Sequence, residues 1–164
     1  MRKNGFDVIM VSSNGIEIDD VIRNEKCKHI VINLTRKITI FKDLYATFKL
    51  FMLLRKEKPH IVHSHTPKAG IVGMLASILA GVPIRLHTVA GLPLVETQGF
   101  KRIILNFIEK LTYKLSTVVY SNSYLLKDFI LQNRFTNDNK LKIIGNGSSN
   151  GIDTSCFITN FSFF

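Results

Sequence analysis

Cysteine and proline are scarce in this chain, and tryptophan is absent. Cys27 and Cys156 lie far apart and outside any CxxC spacing, so neither a disulfide framework nor a thiolate zinc site is indicated, and a reducing cytoplasm suits the chain. Long apolar runs are also missing. The longest uncharged stretch, residues 69–84, is broken by Gly70, Gly73, Gly81 and Pro83, and is too short to span a bilayer. The amino-terminal Arg2-Lys3 pair is followed by Asp7 and a Ser12-Ser13-Asn14-Gly15 turn, not by the apolar core of an export signal. Acidic residues are outnumbered, 12 against 22 Lys and Arg, and the formal charge of +10 points to an anionic partner: phosphates, nucleic acid or an acidic membrane surface. With 46% hydrophobic and 21% charged residues the chain has a globular composition. Its 164 residues suffice for one domain with a core and fall short of two full α/β domains.

Two periodicities alternate along the chain. Short β-rich runs at residues 8–11, 29–32, 61–63, 84–87, 117–120 and 141–144 are separated by longer helical patterns, a βαβ rhythm. Phe41, Leu44, Tyr45, Phe48, Phe51 and Met52 recur at helical spacing, with Thr39 as N-cap and Pro59 just past the end. Phe100, Ile103, Ile104, Phe107, Ile108, Leu111 and Leu115 form a second apolar stripe, with Lys101, Arg102, Lys110 and Lys114 elsewhere on the wheel. Both stripes are expected to pack on a sheet. Residues 68–80, rich in Ala, Gly, Leu and Ile, read as a tightly buried helix ended by Gly81. The economical topology is α/β, a doubly wound parallel sheet of the Rossmann-like kind.

In such sheets ligands bind at the carboxyl ends of the strands. Three places there attract attention. His63-Ser64-His65-Thr66-Pro67-Lys68-Ala69-Gly70 is a strand-to-helix turn whose backbone N–H groups and Lys68 ammonium can hold a phosphate or a sugar hydroxyl. The same residues are equally read as a cap by Thr66 with Pro67 in the first helical position. A metal site is disfavoured, because His63 and His65 would alternate to opposite faces of a continuing strand and no carboxylate or thiol is near in sequence. His87 precedes the loop Thr88-Val89-Ala90-Gly91-Leu92-Pro93, where an imidazole can orient or deprotonate a hydroxyl or else bond the loop backbone. Glu96 beyond it is a loop acid or a capping charge. The run Gly145-Asn146-Gly147-Ser148-Ser149-Asn150-Gly151 permits close backbone approach to a ligand, and is also what a connector needs. Ser121-Asn122-Ser123 reads as an N-cap for a helix over residues 124–131.

Taken in order, residues 58–70, the Leu79-Ala80-Gly81-Val82-Pro83 turn, the His87 to Pro93 loop and residues 143–153 resemble family 4 of the retaining glycosyltransferases. More narrowly, the chain is similar to bacterial enzymes that assemble capsular, exopolysaccharide or O-antigen repeat units. The resemblance covers most of residues 58–153. It implies half of a fold built from two facing Rossmann-like domains, with residues 1–145 forming the acceptor-side domain and residues 146–164 a connector and irregular tail where the donor domain should begin. It also implies hexosyl transfer from a nucleotide-diphosphate sugar to a lipid-linked saccharide, with no cofactor and no metal. His65, Thr66, Lys68, His87, Gly91 and Asn146 become candidate substrate contacts, while the donor-domain glutamate motif has no match here, so no catalytic residue is assigned.

The opening strand with its Gly-rich loop is not found, and Arg2-Lys3-Asn4-Gly5-Phe6 reads as a helix end entering a strand. One βα unit is therefore expected to be lacking, the sheet to have unpaired edges, and the chain alone to be inactive and poorly stable. The resemblance and the basic charge imply a cytoplasmic protein in peripheral contact with the anionic inner face of the cytoplasmic membrane. A non-catalytic anion- or nucleic-acid-binding domain is the alternative from another class, although no RNP-like, zinc-finger or helix-turn-helix pattern supports nucleic acid as a partner. A sugar-nucleotide epimerase fragment shares the architecture and stays open.

Overall fold

A computed structural model describes residues 4–15, 18–35, 39–92, 97–145 and 147. Strands and helices alternate throughout: β1 (Ile9–Ser12), α1 (Ile18–Glu25), β2 (Lys28–Val31), α2 (Ile40–Glu57), β3 (Ile61–Ser64), α3 (Pro67–Leu79), β4 (Ile84–Val89), α4 (Gly99–Leu115), β5 (Val118–Ser121), α5 (Tyr124–Gln132) and β6 (Leu141–Ile143). Every pairing is parallel, as helical crossovers require. The strands divide into a β1-β2 pair and a four-stranded sheet in the order β3-β4-β5-β6. The expected doubly wound, Rossmann-like α/β class is what the structure has. Each strand begins or ends within two residues of the run that suggested it.

Helix α3 sits at the centre of the helical layer, packed between α2 and α4. Its inner face is made of small or slender residues, Gly70, Val72, Gly73, Ala76 and Ser77, with Met74 fully buried among them. Thr66 caps it by accepting from the Ala69 N–H at 3.3 Å, and Pro67 occupies the first position, where its missing N–H costs nothing. Gly81, at φ +76°, turns the chain into the next strand. Ser123 caps α5 through the Leu126 N–H, as its position in the sequence suggested. Beneath α4 and α5 a core gathers Val89, Tyr113, Val119, Ile130, Phe135 and Leu141, each buried aliphatic side chain worth about 1.5–3 kcal/mol.

The two apolar stripes lie only partly where the sequence suggested. On α2 the buried residues are Ala46 and Leu54, while Phe41 is 89% exposed and Leu44, Tyr45, Phe48 and Met52 are exposed with it. The helix is apolar on more than one side, and its inner side carries Ala46, Leu50, Phe51, Leu53 and Leu54. On α4 the buried residues are Glu109, Thr112 and Tyr113; of the stripe, Ile104, Ile108, Leu111 and Leu115 are half-buried, while Phe100, Ile103 and Phe107 face outward. Thr112 and Ser116 satisfy themselves by bonding carbonyls one turn back.

Glu109 has no such remedy. Its Oε2 and the Asn106 Oδ1 lack a hydrogen-bond partner, and the Tyr113 hydroxyl lies beside the carboxyl but outside regular hydrogen-bond geometry. Burial raises the Glu109 carboxyl above its usual 4.5, and Tyr113 offsets this only in part. The folded chain therefore holds a proton that the unfolded chain has released, and stability is lost as pH climbs above 4.5. Glu109→Gln should remove that loss, so that its urea midpoint exceeds wild type at about pH 7 and the difference shrinks towards about pH 4. A difference independent of pH would show that ionisation is not its source.

Candidate functional site

The strands are parallel within each sheet, and the contact of Lys68 Nζ with the Thr35 hydroxyl brings the loop after β2 beside the start of α3, so these carboxyl-end loops share one rim. Ser64 ends β3 and is buried, and its Oγ shares a 2.8 Å hydrogen bond with Nδ1 of His87 on β4. The imidazole lies under α3: a Cβ at Gly70 would stand 2.7 Å from His87 Cε1 and 2.9 Å from Thr112 Cγ2. Only glycine fits between helix and ring. His87 is 1% exposed, so the structure places it beneath the rim and not on it.

His63 and His65, expected on opposite faces, are instead stacked, with ring centroids 4.1 Å apart. Residues two apart along a strand share a face, so alternation itself brings the two rings together, and the expectation of opposite faces was mistaken. His63 Nε2 lies 2.8 Å from the Thr88 hydroxyl, and His65 is exposed above it. Burial, then the neighbouring His65 charge, lowers His63 to about 4. Burial, then the charges of His63 and His65, takes His87 to about 4 as well, against a smaller opposing effect of Ser64. Both rings are therefore neutral at physiological pH, able to orient a hydroxyl and weak as bases.

Lys68, read from the sequence as a possible anion holder, has partners. Its Nζ lies 2.7 Å from Asp43 Oδ1 on α2 and within hydrogen-bond reach of the Thr35 and Thr39 hydroxyls. Asp43 also receives the Thr39 N–H and hydroxyl, so Thr39 starts α2 as a donor to a carboxylate one turn on, not as an acceptor cap. The cluster ties the end of β2 to α2 and α3. Thr66 is exposed with its hydroxyl engaged in capping, and Gly91 is exposed past the end of β4 with open space around it. Asn146 and Glu96 lie outside the described residues, as do residues 148–164.

The sequence reading did not single out a cavity of about 500 Å³ on the same rim, lined by Ser13, Asn14, Asn33, Thr35, Lys42 and Tyr45 together with Leu34. These residues follow β1, follow β2 and open α2. Ser13 Oγ fixes the two loops by donating to the Leu34 carbonyl and accepting from its N–H, both at 2.8 Å. The lining supplies amide and hydroxyl groups that both donate and accept, one cation, and the Tyr45 ring, whose other neighbour is the Lys49 ammonium at 4.7 Å from its centroid. That set suits a polyhydroxylated ligand with an apolar face. The signal was present in the sequence as polar residues directly after the first two strand runs. Among the described residues no group of three or more His, Cys, Asp or Glu is arranged to hold a metal ion.

Comparison with known proteins follows the same lines. Residues 1–123 match the family described as "Glycosyl transferase 4-like". The chain is 40% identical over 157 residues to the capsular polysaccharide biosynthesis glycosyltransferase CapM of Staphylococcus aureus, a match covering 96% of this chain and 40% of that protein. It is 29% identical over 143 residues to an Escherichia coli UDP-Gal:alpha-D-GlcNAc-diphosphoundecaprenol alpha-1,3-galactosyltransferase, covering 87% of this chain and 37% of the relative. The chain thus spans about two fifths of the length of these relatives. Among solved structures, a glycosyltransferase from Rickettsia africae superposes with a TM-score of 0.65 at 20% identity, covering 87% of this chain and 35% of that one, which establishes likeness of fold.

Two outcomes follow from the buried imidazole. Gly70→Ala should cost about 1–3 kcal/mol through overpacking against His87 and Thr112, read as a lower thermal midpoint. An unchanged midpoint would mean that α3 is free to lift from the sheet. Because His63 and His87 have folded values near 4 against 6.5 unfolded, unfolding takes up protons between them, and stability should fall as pH drops from 6.5 towards 4. Urea titrations of Glu109→Gln between about pH 6.5 and 5 remove the opposing carboxyl and isolate the histidines, and a flat profile there would contradict the neutral assignment.

Proposed function

Because the chain belongs to the glycosyl transferase 4-like family, we propose that it is the acceptor-side domain of a retaining glycosyltransferase that moves a hexosyl group from a nucleotide-diphosphate sugar to a lipid-linked saccharide in surface polysaccharide synthesis. The observation that carries this reading is the family match over residues 1–123 together with capsule-building and undecaprenol-linked enzymes among the relatives. Residues 1–145 make up the acceptor-side unit, and residues 146–164 lead towards the donor domain, which binds the nucleotide sugar. The separation of β1-β2 from β3-β6 supports the view that a further βα unit of this domain lies outside the chain, because a doubly wound sheet that lacks a central strand divides in this way.

Within this unit the acceptor saccharide enters the rim cavity between Asn14, Asn33 and Tyr45, where amide and hydroxyl groups meet sugar hydroxyls and the ring covers an apolar face. His65, Thr66 and Gly91 line its approach, with Asn146 a further candidate contact by resemblance alone; Lys68 holds the β2 and α3 loops in register through Asp43, and His87 supports the α3 turn from below. The nucleotide sugar is a substrate, and no cofactor or metal takes part.

The lipid part of such an acceptor requires the domain to work at a membrane surface. No described helix is long and apolar enough to cross a membrane. The outer surfaces of α2 and α4 instead carry Phe41, Leu44, Phe48, Phe100, Ile103 and Phe107 unburied, interspersed with Lys42, Lys49, Lys101 and Arg102. Apolar side chains ringed by cations suit peripheral contact with the anionic inner leaflet of the cytoplasmic membrane.

Asn33→Ala with Tyr45→Ala should weaken binding of a short-chain polyprenyl-diphosphate saccharide about tenfold or more, measured by calorimetry, while UDP-sugar binding stays undetectable. Tight binding of a UDP-sugar with none of the acceptor would overturn the assignment. Phe41→Ser with Phe48→Ser should abolish co-sedimentation with phosphatidylglycerol vesicles, and vesicle binding that ignores salt and lipid charge would argue against the membrane part.

A further inference from the structure

At the pole opposite the rim, where β5 and β6 begin, a second cavity of about 370 Å³ is lined by Lys110, Lys114, Arg134 and Lys140, with Phe135, Thr136 and Asn137 completing it. The four cations come from α4, from the turn after α5 and from the residue before β6, so tertiary folding gathers them. No carboxylate lines the cavity, and none of the four forms an ion pair with a described residue. Of the acids near in sequence, Glu109 is buried and lines no part of the cavity, and Asp138 is taken by Lys127 at 2.6 Å.

Part of this cluster is accounted for by the fold. Lys140 Nζ donates to the Lys114 carbonyl at the end of α4, and the Lys110 ammonium stands 5.7 Å from the centroid of the Phe135 ring. Such contacts place the charges without neutralising them. With four cations and no carboxylate in its lining, the pocket carries an excess of positive charge that no lining group offsets. Between the ammonium groups stand a threonine hydroxyl and an asparagine amide, donors that complete the coordination of tetrahedral oxyanions.

We infer that this cavity is a binding site for a phosphate-bearing group, separate from the saccharide rim. Lys114 and Arg134 contribute the exposed charges, Arg134 able to engage two oxygens at once, and Lys140 forms the floor. The site is independent of the acceptor assignment, since it stands at the amino ends of the strands, away from the loops where substrate is proposed to bind. Its ligand is either a soluble phosphate or diphosphate or the headgroup of a phospholipid, because Lys110 and Lys114 continue the outward row of Ile103 and Phe107 along α4.

The probe is inorganic pyrophosphate, titrated into the full chain at fixed ionic strength. Wild type should bind one equivalent, and Lys114→Gln with Arg134→Gln should weaken it about tenfold or more, while Arg55→Gln with Lys56→Gln on α2, which removes the same charge elsewhere, leaves it within about twofold. Circular dichroism of both double variants checks that each folds. Pyrophosphate that displaces the protein from phosphatidylglycerol vesicles assigns the site to a lipid headgroup, and binding without displacement assigns it to a soluble phosphate; both support the site. Equal weakening by the two double variants, or no saturable binding by wild type, overturns it.

Discussion

The close approach of α3 to the strands and to α4 is the constraint on which most of this structure depends. Gly70 removes the side chain that would hold the helix off His87 on β4 and Thr112 on α4, and Gly73, Ala76 and Ser77 keep the same face thin further along. With α3 so close, His87 can be buried against it and still bond Ser64, Thr112 can reach the same point from α4, and α2 can lie against the other flank. Packing of this density leaves little free volume, so the rim loops that leave β3 and β4 begin from fixed positions. The polar contacts on the rim are built on that fixed base, and the Lys68 to Asp43 pair then ties α2 to α3 across it.

The helical layer has an unusual division of labour. Ordinary amphipathic helices bury their largest apolar residues, whereas α2 buries Ala46 and Leu54 and leaves phenylalanines outside. Helix α4 goes further and buries a carboxylate whose oxygen finds no partner. Each choice costs folding stability, because apolar area stays wet and a polar atom stays unsatisfied. Such costs are characteristic of surfaces shaped for something besides the chain's own core.

How much of this was readable beforehand depends on the range of the interaction. Strand positions, the small-residue nature of α3, its Thr66 cap and the Ser123 cap all follow from local pattern, because backbone geometry and nearest neighbours decide them. The orientation of α2 was not readable: with apolar residues at nearly every azimuth, periodicity cannot name the inner face, and the thin α3 surface opposite selects it. The stacking of His63 on His65 was readable, since residues two apart in an extended chain share a face, and the expectation of opposite faces overlooked it. The pairing of Lys68 with Asp43 joins residues 25 positions apart on two helices, and only their packing reveals it. The basic cavity was likewise invisible, since its lysines and arginine looked like a diffuse solvated charge when read along the chain.

Parallel strands give a domain two chemically unlike ends, and here both are furnished. At one end the carbonyl-terminated strands open into amides, hydroxyls and neutral imidazoles; at the other stand ammonium and guanidinium groups beside a helix terminus. The outward phenylalanines run along the axis that connects these ends. A molecule resting on that side would lie with its long axis in the plane of whatever it rests on, presenting both ends at the same height. A ligand at one end is then kept apart from a ligand at the other by the full length of the helices between them, so the two can be held at once without competing.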